Sequence, residues 1–175
     1  SSDLDAPAIE VGAALDRFAL TFCDQRLRER LLAAASQPSG LRAVARDYAR
    51  TPYRLGAAPE HHDHASEIEQ LCALLGEARA LKPGAVWIAD RIGSFVAITA
   101  VARGAAALVA GDAISPSAVA IAQAAGLPAV SEVAGLFGWA RPDDLLAVDG
   151  DAGCVLVHPA PAEIERMRRA RAAAR

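Results

Sequence analysis

The chain has 175 residues, 53% of them hydrophobic and 22% charged, enough to bury a core for one or two small domains. A formal net charge of −3 gives no electrostatic case for nucleic acid or an anionic membrane surface. No apolar run reaches the roughly 20 residues of a membrane-spanning helix, and no signal peptide is visible.

The three cysteines, Cys23, Cys72 and Cys154, are far apart, odd in number and set among apolar neighbours. They read as buried free thiols in a reducing, cytoplasmic setting. The chain opens on Ser1-Ser2 without Met, the start expected of a processed or excised piece.

Residues 1–81 read as a small helical bundle. In the first helix Ile9, Val11, Leu15, Phe18, Ala19 and Phe22 recur at helical spacing. Asp24 suits the N-cap of a second helix with Leu27, Leu31 and Leu32 on one face. After the loop at Gln37–Gly40, a third helix over Leu41–Arg50 brings Leu41, Val44, Ala45 and Tyr48 together. The stretch Thr51–Pro59 breaks the pattern. A fourth helix starts near Ser66 and carries Ile68, Leu71, Cys72 and Leu75.

Lys82-Pro-Gly84 marks a boundary, and the remainder alternates strand and helix. Ala85–Ala89 is a short apolar strand, Gly93–Arg103 a helix, and Ala105–Ala110 a buried strand that Gly111 and Asp112 break. Ser115 is an N-cap, Pro116 suits a first helical turn, and an Ala-rich helix runs to Ala125, ended by Gly126 and Pro128. Ala129–Val133 returns as a strand, and Trp139–Asp144 is a polar connection. Leu145–Val148 and Cys154–Val157 form a hairpin around Asp149-Gly-Asp-Ala-Gly153. Pro161–Arg171 is a terminal helix with Glu163 and Glu165 early and arginines late, as the helix dipole favours.

Gly126-Leu-Pro-Ala-Val130 and Val148-Asp-Gly-Asp-Ala-Gly153, followed by Val155 and Val157-His158-Pro159, resemble the mobile phosphohistidine ("swivelling") domain of the phosphoenolpyruvate-utilising enzymes. That family opens its Ala-rich helix with Thr-Ser-His; this chain has Ile114-Ser115-Pro116. The order of a helical stretch before the swivelling domain resembles the N-terminal half of Enzyme I of the sugar phosphotransferase system. There the helical subdomain binds the small phosphocarrier HPr. Residues 24–32 and 41–49 look like parts of it.

The resemblance implies an α/β fold: a helical subdomain at 1–81, a swivelling β/β/α phosphohistidine-type domain at 82–160 and a linker helix at 161–175. The implied partners are an HPr-like phosphocarrier or a phosphoenolpyruvate-binding barrel, with no cofactor and no nucleic acid or membrane. The family's phosphoacceptor histidine is Pro116 here, which has no side-chain nucleophile.

A loop ahead of a helix amino end can hold an anion on its backbone N–H groups, so Gly111, Asp112, Ser115 and Ser117 are candidate phosphate contacts. Ser115 or Ser117 could carry a phosphoryl group in place of a histidine, or be plain cap and surface residues. His61 and His64, with His62, Glu60 and Asp63, look like a metal or pH-sensing cluster, a solvated loop or helix start, or a relocated phosphoacceptor. His158 stands where the family has Asn and reads as structural at a strand end. Asp149 and Asp151 are either paired carboxylates for acid–base work or local turn caps. Arg141, Arg166, Arg168, Arg169 and Arg171 read as a solvated face or a docking surface for an acidic partner.

Three functions follow from different classes. One is a degenerate swivelling domain that binds or regulates a partner without catalysis. Another is an active phosphoryl carrier using a different residue, with the barrel in trans or on a longer chain. The third is a metal- or small-molecule-binding module.

Overall fold

The computed structural model describes residues 6–34, 40, 43–44, 46–48, 50, 66–71 and 82–173. Two helices open the chain, α1 (Ala6–Cys23) and α2 (Gln25–Ala34), and residues 66–71 are also helical. Then come β1 (Val86–Ile92), α3 (Ser94–Ala102), β2 (Ala107–Ile114), α4 (Pro116–Ala124), β3 (Ala129–Val130) and a short α5 (Leu136–Trp139). The hairpin strands β4 (Leu146–Asp149) and β5 (Cys154–Val157) and helix α6 (Pro161–Ala173) complete the chain. The architecture is mixed α/β, with β1, β2 and β3 parallel in that order and β4–β5 an antiparallel pair.

One core crosses the Lys82–Gly84 boundary. Ala14 of α1, Leu27 of α2, and Ile68 and Leu71 of the helical residues 66–71 are buried together with Trp87, Phe95, Leu108, Ala118 and Ile121. Phe18 meets Phe95 edge to face, with ring centroids 5.2 Å apart and planes at 88°, an arrangement that aromatic quadrupoles favour. Val44 and Tyr48 pack on the margin of the same core. Burial pushes the Tyr48 hydroxyl above its ordinary pKa, and the nearby Asp24 carboxylate adds to the rise.

The face of α1 differs from the expected one. Val11, Ala14, Phe18 and Thr21 turn inward, while Ile9 is 69% and Leu15 46% exposed and Ala19 lies outside as well. Ala14 lies in contact range of buried helices because it is small, so the inward stripe is set by close approach and not by the largest apolar side chains. The side chain of Phe22 is outside the described residues. Asp24 caps α2 as expected, its Oδ1 accepting from the N–H groups of Arg26 and Leu27 at 2.9 and 3.2 Å. Leu27 is buried and Leu31 half-buried, but Leu32 faces solvent. Leu41, Ala45, Cys72 and Leu75 lie outside the described residues. Cys23 is an exposed free thiol and Cys154 a half-buried one, so neither is fully buried.

Both long strands run past their expected ends. β1 continues through Asp90 and Arg91 to Ile92, with an irregularity between Ala89 and Arg91. The extra residue is on β2, where Gly111 and Asp112 stand opposite Asp90 between the pairs Ala89↔Ala110 and Arg91↔Ala113, a bulge that ends neither strand. β2 continues through Gly111 and Asp112 to Ile114, and its last pair, Ile92↔Ile114, lies level with the end of β1. β3 is shorter than expected. Glu132 sits at φ 59°, outside strand geometry, although its N–H still reaches Asp112 O at 2.9 Å and the Val133 N–H reaches Ala110 O at 3.1 Å.

The local signals around α4 hold. The Ser115 hydroxyl accepts from the Ala118 N–H at 3.2 Å, Pro116 is in the first turn, and Gly126 takes φ 64° after the last turn. That left-handed conformation favours glycine and closes the helix. The hairpin turn is capped within itself, since Asp149 Oδ1 accepts from the Asp151 and Ala152 N–H groups at 3.1 and 3.0 Å. α6 buries no residue; Arg171 donates to Gly126 O at 3.2 Å.

Candidate functional site at the carboxyl edge of the parallel sheet

Open parallel sheets bind ligands beyond the carboxyl ends of their strands. Here β1 and β2 finish side by side, joined once more where the Ser115 N–H donates to Ile92 O at 2.9 Å. Each strand feeds a helix after a single residue: Gly93 before α3 and Ser115 before α4. Two helix amino ends, each with the partial positive charge of its free N–H groups, therefore stand next to each other.

The two ends are furnished differently. At α3 the carboxylate of Glu67 accepts from the Ser94 N–H at 2.7 Å, and the Ser94 hydroxyl lies 2.8 and 2.9 Å from its two oxygens. Ser94 is completely buried. At α4, Pro116 is exposed and Ser115 and Ser117 are half-buried. Proline contributes no N–H, and the Ala118 N–H is engaged by Ser115. Of the first three amides of α4, one is missing and one is taken, so this end is a poorer oxyanion cradle than an ordinary helix start.

Gly111 and Asp112 require a correction. They are interior to β2 and not part of a turn ahead of α4. Gly111 does not take a left-handed backbone, and the Asp90 carboxylate and the Phe137 ring lie close on its open side. Gly-Asp looks like a breaker in sequence; here the two residues stand opposite Asp90 as a bulge that shifts the register of the ladder without ending the strand. Asp112 faces Arg91 across the edge at 3.8 Å, both side chains 69% exposed. Such a pair contributes little to stability.

Elsewhere, His158 follows β5 at φ 48° with an exposed imidazole, its Nε2 3.2 Å from Asp144 Oδ1. The other Asp144 oxygen accepts from the Arg141 N–H at 2.8 Å. Asp149 is committed to its turn. Arg169 pairs with Glu165 at 3.0 Å along exposed α6. His61 and His64 lie outside the described residues. Among the described residues no group of three or more His, Cys, Asp or Glu side chains could hold a metal, and no helix is long and apolar enough to cross a membrane.

An open groove of about 1170 Å³ runs between the sheet, the hairpin and α6, walled by Val119, Leu127, Leu146, Val148, Ile164 and Met167. Sequence reading missed Glu67, Ser94 and the pairing of His158 with Asp144. Each joins residues distant in the chain or leaves no local pattern.

No protein-family model and no curated protein matches the chain. Solved structures do. The solution structure of an Enzyme I protein superposes with a TM-score of 0.52 at 15% identity, covering 94% of this chain and 72% of that one. The N-terminal domain of Enzyme 1 - Nitrogen gives a TM-score of 0.49 at 20% identity, covering 97% and 80%. At 15% identity the first likeness is one of fold: the chain has an Enzyme I N-terminal-like fold.

Proposed function

We propose that this chain is a degenerate Enzyme I-type mobile domain of a phosphotransferase relay, which binds or regulates a partner without itself carrying the phosphoryl group. Phosphoryl transfer to histidine needs an imidazole lone pair and nearby donors for the transferred oxygens. The observation that carries the reading is Pro116, exposed in the first turn of α4 where the family motif places its phosphohistidine. The shortage of amides at that helix start supports it. On this reading residues 1–81 form the partner-binding subdomain, 82–160 the swivelling unit and 161–175 a linker.

The partner would be an HPr-like phosphocarrier or a phosphoenolpyruvate-binding barrel. Ile9, Leu20 and Leu32 are exposed apolar side chains on α1 and α2, and Arg26 and Arg28 are exposed on α2. Exposed apolar side chains and cations on these two helices suit a small acidic or phosphorylated protein. The deciding experiment incubates the chain with phosphoenolpyruvate and an intact Enzyme I and measures acid-labile phosphate. None is expected on this chain, and a stoichiometric label would overturn the proposal.

A second reading, a carrier that uses another residue, is favoured by one observation. His158 is an exposed imidazole whose Nε2 faces a carboxylate, an arrangement that leaves Nδ1 as a nucleophile. Mapping any label by mass spectrometry separates the two. Phosphate on Ser115, Ser117 or any of the four histidines supports the second reading, and its absence from all six removes it.

A further inference from the structure

Helix α3 begins without a cap of its own. Gly93, at its N-cap, has no side chain to offer, whereas α4 is capped by the Ser115 that immediately precedes it. What α3 lacks locally comes from 27 residues upstream, where Glu67 of the helical residues 66–71 engages the N–H and hydroxyl of buried Ser94. A carboxylate is well placed there, since it takes two polar groups out of isolation and faces the positive end of the helix dipole. Gly93 admits it: a Cβ at that position would lie 2.8 Å from Glu67 Cγ and 2.9 Å from Oε1. Ile68, next in sequence, is fully buried in the shared core. The carboxylate therefore seats only when helical residues 66–71 are docked against α3.

We propose that Glu67 is a latch that couples docking of the helical segment 66–71 to order in the first turn of α3. When the segment is docked, Ser94 is satisfied and α3 is closed. When it withdraws, the amino end of α3 loses its cap and opens at the same sheet edge as Pro116. Such coupling is reciprocal: whatever frays the start of α3 also loosens residues 66–71. The proposal goes beyond the phosphorelay reading and does not depend on it, because it concerns only the joint between two parts of this chain.

The test is amide hydrogen exchange on the full chain, comparing the parent with Glu67→Gln and Gly93→Ala. Glu67→Gln removes the charge from one side of the joint, and Gly93→Ala obstructs the seat from the other. Both should speed exchange at Ser94, Phe95 and residues 66–71 together by about tenfold or more, while Leu108–Ala110 in β2 stays within about threefold of the parent. In a Glu67→Ala background, Gly93→Ala should add less than about twofold, since its clash partner is gone. Fraying at Ser94 with unchanged protection at 66–71 would mean an ordinary cap and overturn the latch. So would equal acceleration throughout β2, which signals general loss of stability. Should Glu67→Gln fail to fold, Ser94→Ala removes the hydroxyl while keeping the N–H contact. It should give a smaller acceleration at the same two places, and no change there overturns the proposal equally.

Discussion

Helices α3 and α4 start at the same height on adjacent parallel strands, one residue beyond the Ile92↔Ile114 pair, and their first three positions can be matched. At the N-cap stand Gly93 and Ser115, at the first helical position Ser94 and Pro116, at the second Phe95 and Ser117. One set is buried and held by a distant carboxylate; the other is at least partly exposed and capped by its own neighbour. The same place in the topology thus serves as a packed joint in one helix and an open front in the other. A chemical group could be added or lost at the open front with little cost to the core. The packed joint cannot change without disturbing what lies across it. A proline at the first helical position of the open front is a residue the fold tolerates.

The sharpest way to break this comparison is at the second helical position. Phe95 is completely buried and sits edge to face on Phe18. Phe95→Ala should cost about 3–5 kcal/mol, the transfer term plus the cavity left behind. Ser117→Ala, on the open front, should stay within about 0.5 kcal/mol. Urea denaturation measures both, and similar losses at the two positions would abolish the distinction between joint and front.

A smaller difference is expected at the caps. Ser115→Ala removes the acceptor for the Ala118 N–H, and it should destabilise the chain by about 1 kcal/mol, within the range of 0.5–2 kcal/mol measured for N-cap losses. Because that cap is local, the loss should leave hydrogen exchange at residues 66–71 unchanged. Spread of the effect to those residues would show that α4 is coupled to the helical segment as α3 is.

The contrast between the two ends also explains which parts of the fold were legible in the sequence. The boundaries of α4 are written beside it: Ser115-Pro116 at one end, Gly126-Leu-Pro128 at the other, each acting through its own backbone conformation. The hairpin was legible for the same reason, because Asp149 caps its own turn. The cap of α3 was not, since glycine announces nothing and Glu67 resembles any other charged helical residue. Gly111-Asp112 misled because the chemistry that favours a turn is equally at home in a bulge, which shifts a strand's register without ending it. The inward face of α1 was only partly legible. Small Ala14 and polar Thr21 face the core there, while Leu20 is 74% exposed. Helix α5 is four residues long and too short for any period to show. The Enzyme I-like arrangement was visible through Gly126–Val130 and Val148–Gly153, motifs that specify turns and strand ends and need no distant partner.

The last and smallest effect concerns Pro116 itself. Proline in the first helical turn restricts the unfolded chain and forfeits no intrahelical bond, which is worth about 0.4–1 kcal/mol. Pro116→His should therefore lower stability by no more than about 1 kcal/mol at neutral pH, a shift of roughly 2–4 °C in melting temperature for a chain of this size. The pH dependence has a definite sign. A protonated imidazole beside the positive end of α4 is repelled, so the folded state lowers its pKa below the ordinary value of about 6.5. The added loss should be absent well above that value and grow as the pH falls through it. Thermal melts of the variant and the parent at pH 5 and pH 8 measure this difference. A large loss at both pH values would place the ring in the core and not on the open front. A variant more stable at pH 5 than at pH 8, relative to the parent, would mean that a carboxylate reaches the start of α4 after all, as Glu67 reaches that of α3.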